Sequence, residues 1–278
     1  TMSNPLLKEY RKPSAYVALP SDGKWYSEKM RLSVDNELAV YPMTARDELI
    51  MKTPDALFNG EATRALLASC TPDIPNPDEV PACDLPVIVV AIRQASYGDE
   101  IDFDVTCPSC KHVNMVQIMA SGLLANAKKN TEDPVIKISG DFRVKVRPYN
   151  VKDRTLLAIE QVKQQRMLQD IVKQSEKDDE KNAENFGKTF VEVADLTVKL
   201  IAGAIESVAT PEGEEIDNRE NILEWLQNIT KKDYDLITAK MEKLSDSGIT
   251  NEHEAKCQEC SHEWKTKVDI DAANFFGG

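Results

Sequence analysis

The 278-residue sequence lacks an apolar run of about 18 residues, the length that a membrane-spanning helix requires. Its longest apolar stretch, Leu85 to Ile92, is far shorter and contains a proline. The first residues, Thr1 to Pro5, are followed by charged residues and not by the apolar segment of a secretory signal peptide. These absences predict a protein that is made in the cytoplasm and has no membrane partner.

Histidine and net positive charge are also scarce. The chain has three histidines, and its 34 Lys and Arg residues are outnumbered by 47 Asp and Glu residues, which gives a net charge of −13. A nucleic-acid binder gains affinity from a basic surface, so this balance disfavours nucleic acid as a partner. No phosphate-binding glycine loop, nucleophile elbow or H-E-x-x-H motif is present. We therefore predict that the protein is not an enzyme and assign no catalytic residue.

Cysteine, in contrast, occurs in a distinctive pattern. Two C-x-x-C pairs are present: Cys107 with Cys110, and Cys257 with Cys260. In a cytoplasmic protein such pairs indicate metal or redox chemistry rather than disulfides. Each pair is followed two residues later by a histidine, His112 or His262, and then by alternating residues typical of a strand. The two segments therefore predict two matching knuckles, although residues 111–256 separate them.

Zinc in a structural role prefers four cysteine ligands in a closed tetrahedron. We predict one structural Zn²⁺ in a zinc-ribbon-like element, with these metal ligands: Cys107, Cys110, Cys257 and Cys260. Four cysteines fill such a site, so His112 and His262 are not expected to be ligands. Cys70 and Cys83 have no C-x-x-C partner and are expected to be buried, inert thiols. Two alternatives stay open, a zinc-ribbon module that binds nucleic acid and a thiol redox protein.

Hydrophobic periodicity predicts an α+β fold, with a mainly helical body and short strands. The predicted helices are 45–52, 59–69, 85–97, 151–173, 186–208, 222–229 and 232–244. The predicted strands are 38–42, 100–106, 113–117, 135–138, 142–147 and 264–268. Residues 2–35 are predicted to be irregular, and the charge-rich residues 174–185 are predicted to form a solvated loop or an exposed helix extension.

These elements predict three parts of the chain. Residues 1–99 form an N-terminal arm and a small α/β region, residues 100–120 plus 250–272 form the zinc ribbon, and residues 121–249 form a helical insertion with a β-hairpin at its start. A weak internal repeat relates Pro42–Asp47 to Pro148–Asp153, since each segment leads from a strand through a capping residue into a helix. Duplication and convergent capping both explain this repeat.

Two terminal segments combine aromatic residues with turn residues. They are residues 15–26 and the pair Phe275-Phe276. Each segment either packs on its own domain or docks onto a partner, and the sequence leaves both readings open.

Four segments carry a resemblance to a known family: Leu19–Tyr26, Tyr41–Glu48, Leu57–Gly60 and Ile92–Gly98. Together with the first cysteine pair, they resemble the baseplate hub subunit family of contractile-tailed, T4-type bacteriophages, with the best agreement over residues 10–120. The resemblance implies a virion or assembly protein of the tail baseplate, made in the host cytoplasm. Such a protein acts in an oligomeric context through contacts with other baseplate and tail proteins. The resemblance leaves open whether it is a permanent component or an assembly factor.

Overall fold

The computed structural model describes residues 11–53, 60–174, 193–246, 248–249, 252–267, 270 and 275–276. It has the predicted α+β fold, with small antiparallel sheets. The chain divides into two compact units, the first comprising Thr1–Asn130 with Ser247–Gly278 and the second comprising Thr131–Asp246. The three-part division into 1–99, 100–120 plus 250–272, and 121–249 stays a prediction.

The described strands, in chain order, are β1 (Ala15–Ala18), β2 (Glu37–Val40), β3 (Glu100–Thr106), β4 (Val113–Met119), β5 (Val135–Lys137), β6 (Arg143–Val146), β7 (Ile205–Ala209), β8 (Glu215–Ile216), β9 (Glu252–Lys256) and β10 (Glu263–Lys267). In the first unit they form three two-stranded sheets, β1-β2, β3-β4 and β9-β10. In the second unit they form one four-stranded sheet of order β5-β6-β7-β8, and all the pairings are antiparallel.

The described helices, in chain order, are α1 (Ala45–Met51), α2 (Glu61–Cys70), α3 (Leu85–Tyr97), α4 (Ala120–Ala125), α5 (Val151–Gln174), α6 (193–204), α7 (Arg219–Asn228) and α8 (Lys231–Ser245). The helix α3 is the buried centre of the first unit, since Val87 to Ile92 are all buried. It ends where predicted, because Gly98 has a φ of +93° that ordinary side chains avoid. None of the described helices has the length and apolarity needed to cross a membrane.

Two sequence-based predictions of secondary structure were wrong. The predicted helix 186–208 continues too far, because its described part ends at residue 204 and Ile205–Ala209 is the strand β7. Ile205 and Val208 are buried in the sheet beside β6, so tertiary pairing decides the conformation of a segment that also fits a helical pattern. Residues 2–35 are not wholly irregular, since Ala15–Ala18 pairs with β2. Residues 175–185 of the predicted charged segment are not among the described residues.

The N-terminal aromatic segment packs on its own unit. The carboxylate of Asp84 accepts hydrogen bonds from the backbone N–H of Ser21 at 2.8 Å, from the Ser21 hydroxyl at 2.5 Å and from the Tyr26 hydroxyl at 2.9 Å. Ser21 and Asp84 are fully buried. This buried network holds residues 20–26 against the start of α3.

Two strand-to-helix turns, one in each unit, make the same hydrogen bonds. In the first, the Thr44 hydroxyl accepts from the backbone N–H of Asp47 at 3.3 Å, and the Asp47 carboxylate accepts from the backbone N–H of Thr44 at 2.7 Å. In the second, Asn150 and Asp153 make the equivalent bonds at 2.9 and 3.1 Å. This reciprocal capping satisfies two backbone donors at the start of each helix.

The agreement between the two turns extends beyond capping. The backbone N–H of Met43 donates to the Ser96 hydroxyl at 2.9 Å, and that of Tyr149 donates to the Ser245 hydroxyl at 3.1 Å. Each serine hydroxyl also donates to a carbonyl four residues back in its own helix. The two turns therefore share a contact with a distant serine as well as their capping bonds. Duplication and convergence both explain this agreement.

Candidate metal centre

Both cysteine pairs lie in turns between antiparallel strands. The first pair lies between β3 and β4, and the second lies between β9 and β10. In each turn the first cysteine donates its backbone N–H to the carbonyl of the following histidine, His112 or His262, at 2.9 Å. The residue after the second cysteine, Lys111 or Ser261, donates back to the first cysteine's carbonyl at 3.0 Å and has a positive φ, +64° or +59°. The two turns are therefore the same knuckle.

The fold brings the two knuckles together, and all four sulfur atoms lie within 4.8 Å of one another. The Sγ atoms of Cys107 and Cys260 are 3.7 Å apart, and those of Cys110 and Cys257 are 3.5 Å apart. Cys107 and Cys257 are buried, whereas Cys110 and Cys260 are exposed. The four predicted ligands therefore form one cluster, with each close pair drawn from different knuckles.

This donor set fits zinc. A tetrahedral zinc ion with Zn–S bonds of about 2.3 Å holds its sulfurs about 3.8 Å apart. The two closest sulfur pairs, at 3.7 and 3.5 Å, are near this spacing. All four donors are thiols, which is the composition of a closed structural zinc site.

Two thiols of the cluster have shifted pKa values. Burial disfavours the Cys257 thiolate, but backbone hydrogen bonds from Cys260 and Glu259 and contact with the Cys110 thiol outweigh it and lower the pKa of Cys257 to about 6. A backbone hydrogen bond from His112 favours the Cys110 thiolate, but burial and the other cysteines raise the pKa of that thiol to about 12. Zinc binds the deprotonated thiolate, so binding at this cluster would release protons.

One residue of the centre has no signal in the cysteine pattern. Asn114 is 2% exposed and lies two residues after His112. Its Nδ2 donates to the His112 carbonyl at 3.1 Å, and its Oδ1 accepts from the backbone N–H of Gln258 at 2.8 Å. Asn114 therefore joins the first knuckle to the second.

The other cysteines and the C-terminal aromatics have local structural roles. Cys70 and Cys83 are buried as predicted, and burial raises the pKa of both thiols, that of Cys70 to about 12. Phe275 contacts Phe103 of β3 edge to face, with ring centres 5.5 Å apart, and both C-terminal phenylalanines are buried. The described part of the C-terminus therefore packs on its own unit.

Taken together, the fold and the site define an α+β protein in which two matching knuckles form a four-cysteine cluster. The chain belongs to the family described as T4 bacteriophage base plate protein, whose sequence model matches residues 15–277. Neither a curated protein nor a solved structure matches the chain. The match confirms the T4-type baseplate family that the sequence resembles, and the hub subtype stays a prediction.

Proposed function

We propose that this protein is a structural or assembly component of the tail baseplate hub of a contractile-tailed bacteriophage. It acts through contacts with other baseplate and tail proteins and not through catalysis. The observation that carries the proposal is the family match over residues 15–277. The protein is made in the host cytoplasm and takes its place in the tail of the virion.

We further propose that the protein holds one structural Zn²⁺ through Cys107, Cys110, Cys257 and Cys260, in a zinc-ribbon-like element. The close approach of the four sulfurs supports this assignment. Both cysteine pairs lie between strands, which differs from the strand-to-helix setting of thioredoxin-like redox pairs. The ion links β9 and β10 to β3 and β4, so its binding free energy contributes to folding. A part that must keep its shape in an assembly gains from such a link.

Metal content tests the zinc assignment. We expect elemental analysis to find one zinc per chain in the purified wild type and none in Cys257→Ser. Cys83→Ala is the matched control, because it also removes a buried thiol but lies outside the cluster. A wild-type chain without metal, or a Cys257→Ser chain that keeps a full equivalent of zinc, would contradict the assignment.

Complementation tests the role in the baseplate. A phage in which this gene is disrupted should yield particles without complete tails by electron microscopy. Wild-type protein and Cys83→Ala supplied in trans should restore tails, whereas Cys257→Ser should not. Normal tails from the disrupted phage would overturn the proposed role. Restoration by a zinc-free Cys257→Ser chain would overturn only the need for the metal.

A further inference from the structure

The two hairpins of the centre match residue by residue. The pair Thr106 and Val113, which flanks the first knuckle, is equivalent to the pair Lys256 and Glu263, which flanks the second. Moving away from the knuckles, each strand alternates between the face that packs inward and the face that points outward. The outward residues of the two hairpins can therefore be compared position by position.

Both hairpins carry acidic residues at equivalent outward positions of their first strand. Asp104 corresponds to Glu254, and Asp102 corresponds to Glu252. The residues opposite them on the second strand differ. Met115 and Gln117 lie opposite Asp104 and Asp102 in the first hairpin, whereas Lys265 lies opposite Glu254 in the second. Opposite charges at directly facing positions stabilise an antiparallel pair. The second hairpin therefore has a basic residue opposite an equivalent acid, and the described first hairpin does not.

A further pair extends this contrast. Lys256 and Glu263 form an ion pair at 2.9 Å in the second hairpin, where the first hairpin has Thr106 and Val113. Since both hairpins carry the same knuckle, the metal centre does not demand either choice of outward residues. The difference in outward residues between the two hairpins therefore has a cause other than metal binding.

The outward face of the first hairpin combines exposed apolar side chains with acids. Val113, Met115 and Met119 are 55%, 65% and 45% exposed and lie along β4. Glu100, Asp102 and Asp104 lie along β3 beside them, and within the described ranges no lysine or arginine forms an ion pair with these three acids. Gln117 donates to Glu100 at 3.3 Å and to Asp102 at 3.2 Å. We call these residues, 100, 102, 104, 113, 115, 117 and 119, the β3–β4 outer face.

A depression adjoins one end of this face. Its volume is about 560 Å³, within the range that takes a ligand group, and Gln117, Met119, Leu123 and His253 are among its lining residues. The depression offers space for an apolar side chain that approaches along the row of methionines. Methionine itself adapts to varied partners, because its side chain is unbranched and polarisable.

We propose that the β3–β4 outer face binds an amphipathic helix of a partner protein, one that carries a stripe of Lys or Arg beside a stripe of apolar residues. Side chains on one face of a strand repeat every 6.6 Å or so, close to the 5.4 Å turn of an α-helix, and long basic side chains accommodate the difference. The acids Glu100, Asp102 and Asp104 then contact the basic stripe of the helix. Met115 and Met119 contact its apolar stripe. This inference deepens the proposed role in protein contacts and rests on that role only for the partner being a protein.

A synthetic peptide tests this inference directly. The probe is a fluorescent 14-residue helical peptide with adjacent stripes of Lys and Leu, titrated with the full-length, zinc-loaded chain and followed by anisotropy. We expect the double variant Asp102→Asn/Asp104→Asn to weaken binding at least tenfold, and Met115→Ser to weaken it about fivefold. A peptide with Glu in place of Lys should bind at least tenfold more weakly to the wild type.

Two exposed acids of the second unit supply the matched control, since they belong neither to the β3–β4 outer face nor to the depression. Glu212→Gln/Glu214→Gln also removes two charges and should leave peptide binding within twofold of the wild type. Equal weakening by both double variants would show general attraction to an acidic protein and would overturn the inference, as would the absence of binding. Sedimentation that reveals self-association lost in Asp102→Asn/Asp104→Asn would instead assign the face to a second copy. None of these outcomes affects the baseplate complementation.

Discussion

The Oδ1 atom of Asn114 accepts a hydrogen bond from the backbone N–H of Gln258 at 2.8 Å. This bond crosses from the first knuckle to the second, between residues far apart in the sequence. The equivalent residue of the second knuckle is Trp264, whose ring stacks on His262 with ring centres 6.1 Å apart. The two knuckles thus share a backbone conformation but differ at this position, since Asn114 bonds to the other knuckle whereas Trp264 stacks within its own.

We predict that Asn114→Ala destabilises the protein and lowers its affinity for zinc. The substitution removes both hydrogen bonds of the buried Asn114 amide, and each such bond typically contributes about 0.5–1.5 kcal/mol to stability. Urea unfolding should show this loss, and a competing chelator should remove zinc from the variant at lower concentration. Asn126→Ala is the control, because that amide is exposed and bonds within its own helix end. Equal effects of the two substitutions would contradict the role of Asn114.

The sequence predicts the four cysteines of the centre because two C-x-x-C pairs with matching flanks are typical of a metal site. It does not predict Asn114, since one polar residue in an alternating strand looks the same whether it faces water or a second knuckle. The strand β7 is missed for a related reason. Ile205 and Val208 fit both a helix face and a strand, and only pairing with β6 decides between them.

Removal of zinc should loosen the knuckles far more than the sheet of the second unit. The backbone N–H groups of Cys107 and Cys257 each donate within a knuckle, whereas that of Arg147 donates to the Ala204 carbonyl at 2.9 Å in the second unit. On the proposed zinc assignment, metal binding stabilises the knuckles, so chelation should speed amide exchange at the two cysteines by roughly tenfold or more.

Hydrogen exchange with mass spectrometry, with and without excess chelator, measures this difference. The amide of Arg147 provides the internal control and should keep its protection. Uniform acceleration at all three amides would show that the metal supports the whole chain. No acceleration at Cys107 and Cys257 would show that the knuckles hold their shape without it.

A close backbone contact leaves no room for a side chain at Gly248, shortly before β9. Gly248 has a φ of +125°, and a Cβ atom there would lie 2.7 Å from the carbonyl oxygen of Cys83. We predict that Gly248→Ala lowers the free energy of unfolding by roughly 2–4 kcal/mol, because an unfavourable φ and a clash with rigid backbone add together.

Gly213→Ala separates these two contributions. Gly213 also has a positive φ, +92°, but nothing lies within 4 Å of its Cβ position. This control should cost only the conformational part, about 1 kcal/mol. If the two variants unfold at the same urea concentration, the close contact at Gly248 contributes nothing to stability.

The carboxyl group of Asp84 gives the protein a pH dependence that can be isolated. Burial raises its pKa to about 6, although the hydrogen bonds from Ser21, Tyr26 and Cys83 oppose the shift. Between the usual pKa near 3.8 and pH 6, the folded chain binds more protons at this group than the unfolded chain does. The contribution of Asp84 to the free energy of unfolding is therefore fully present below about pH 4. It falls by about 3 kcal/mol in total as the pH rises from there through 6.

Asp84→Asn removes this titration, so the free energy of unfolding of the variant minus that of the wild type should increase by about 3 kcal/mol from pH 4 to pH 7. Urea unfolding at several pH values measures the difference. The cysteine cluster also takes up protons in acid, but it is common to both chains and cancels. A difference that does not change with pH would mean that Asp84 remains ionised across this range, and that its hydrogen bonds outweigh the cost of its burial.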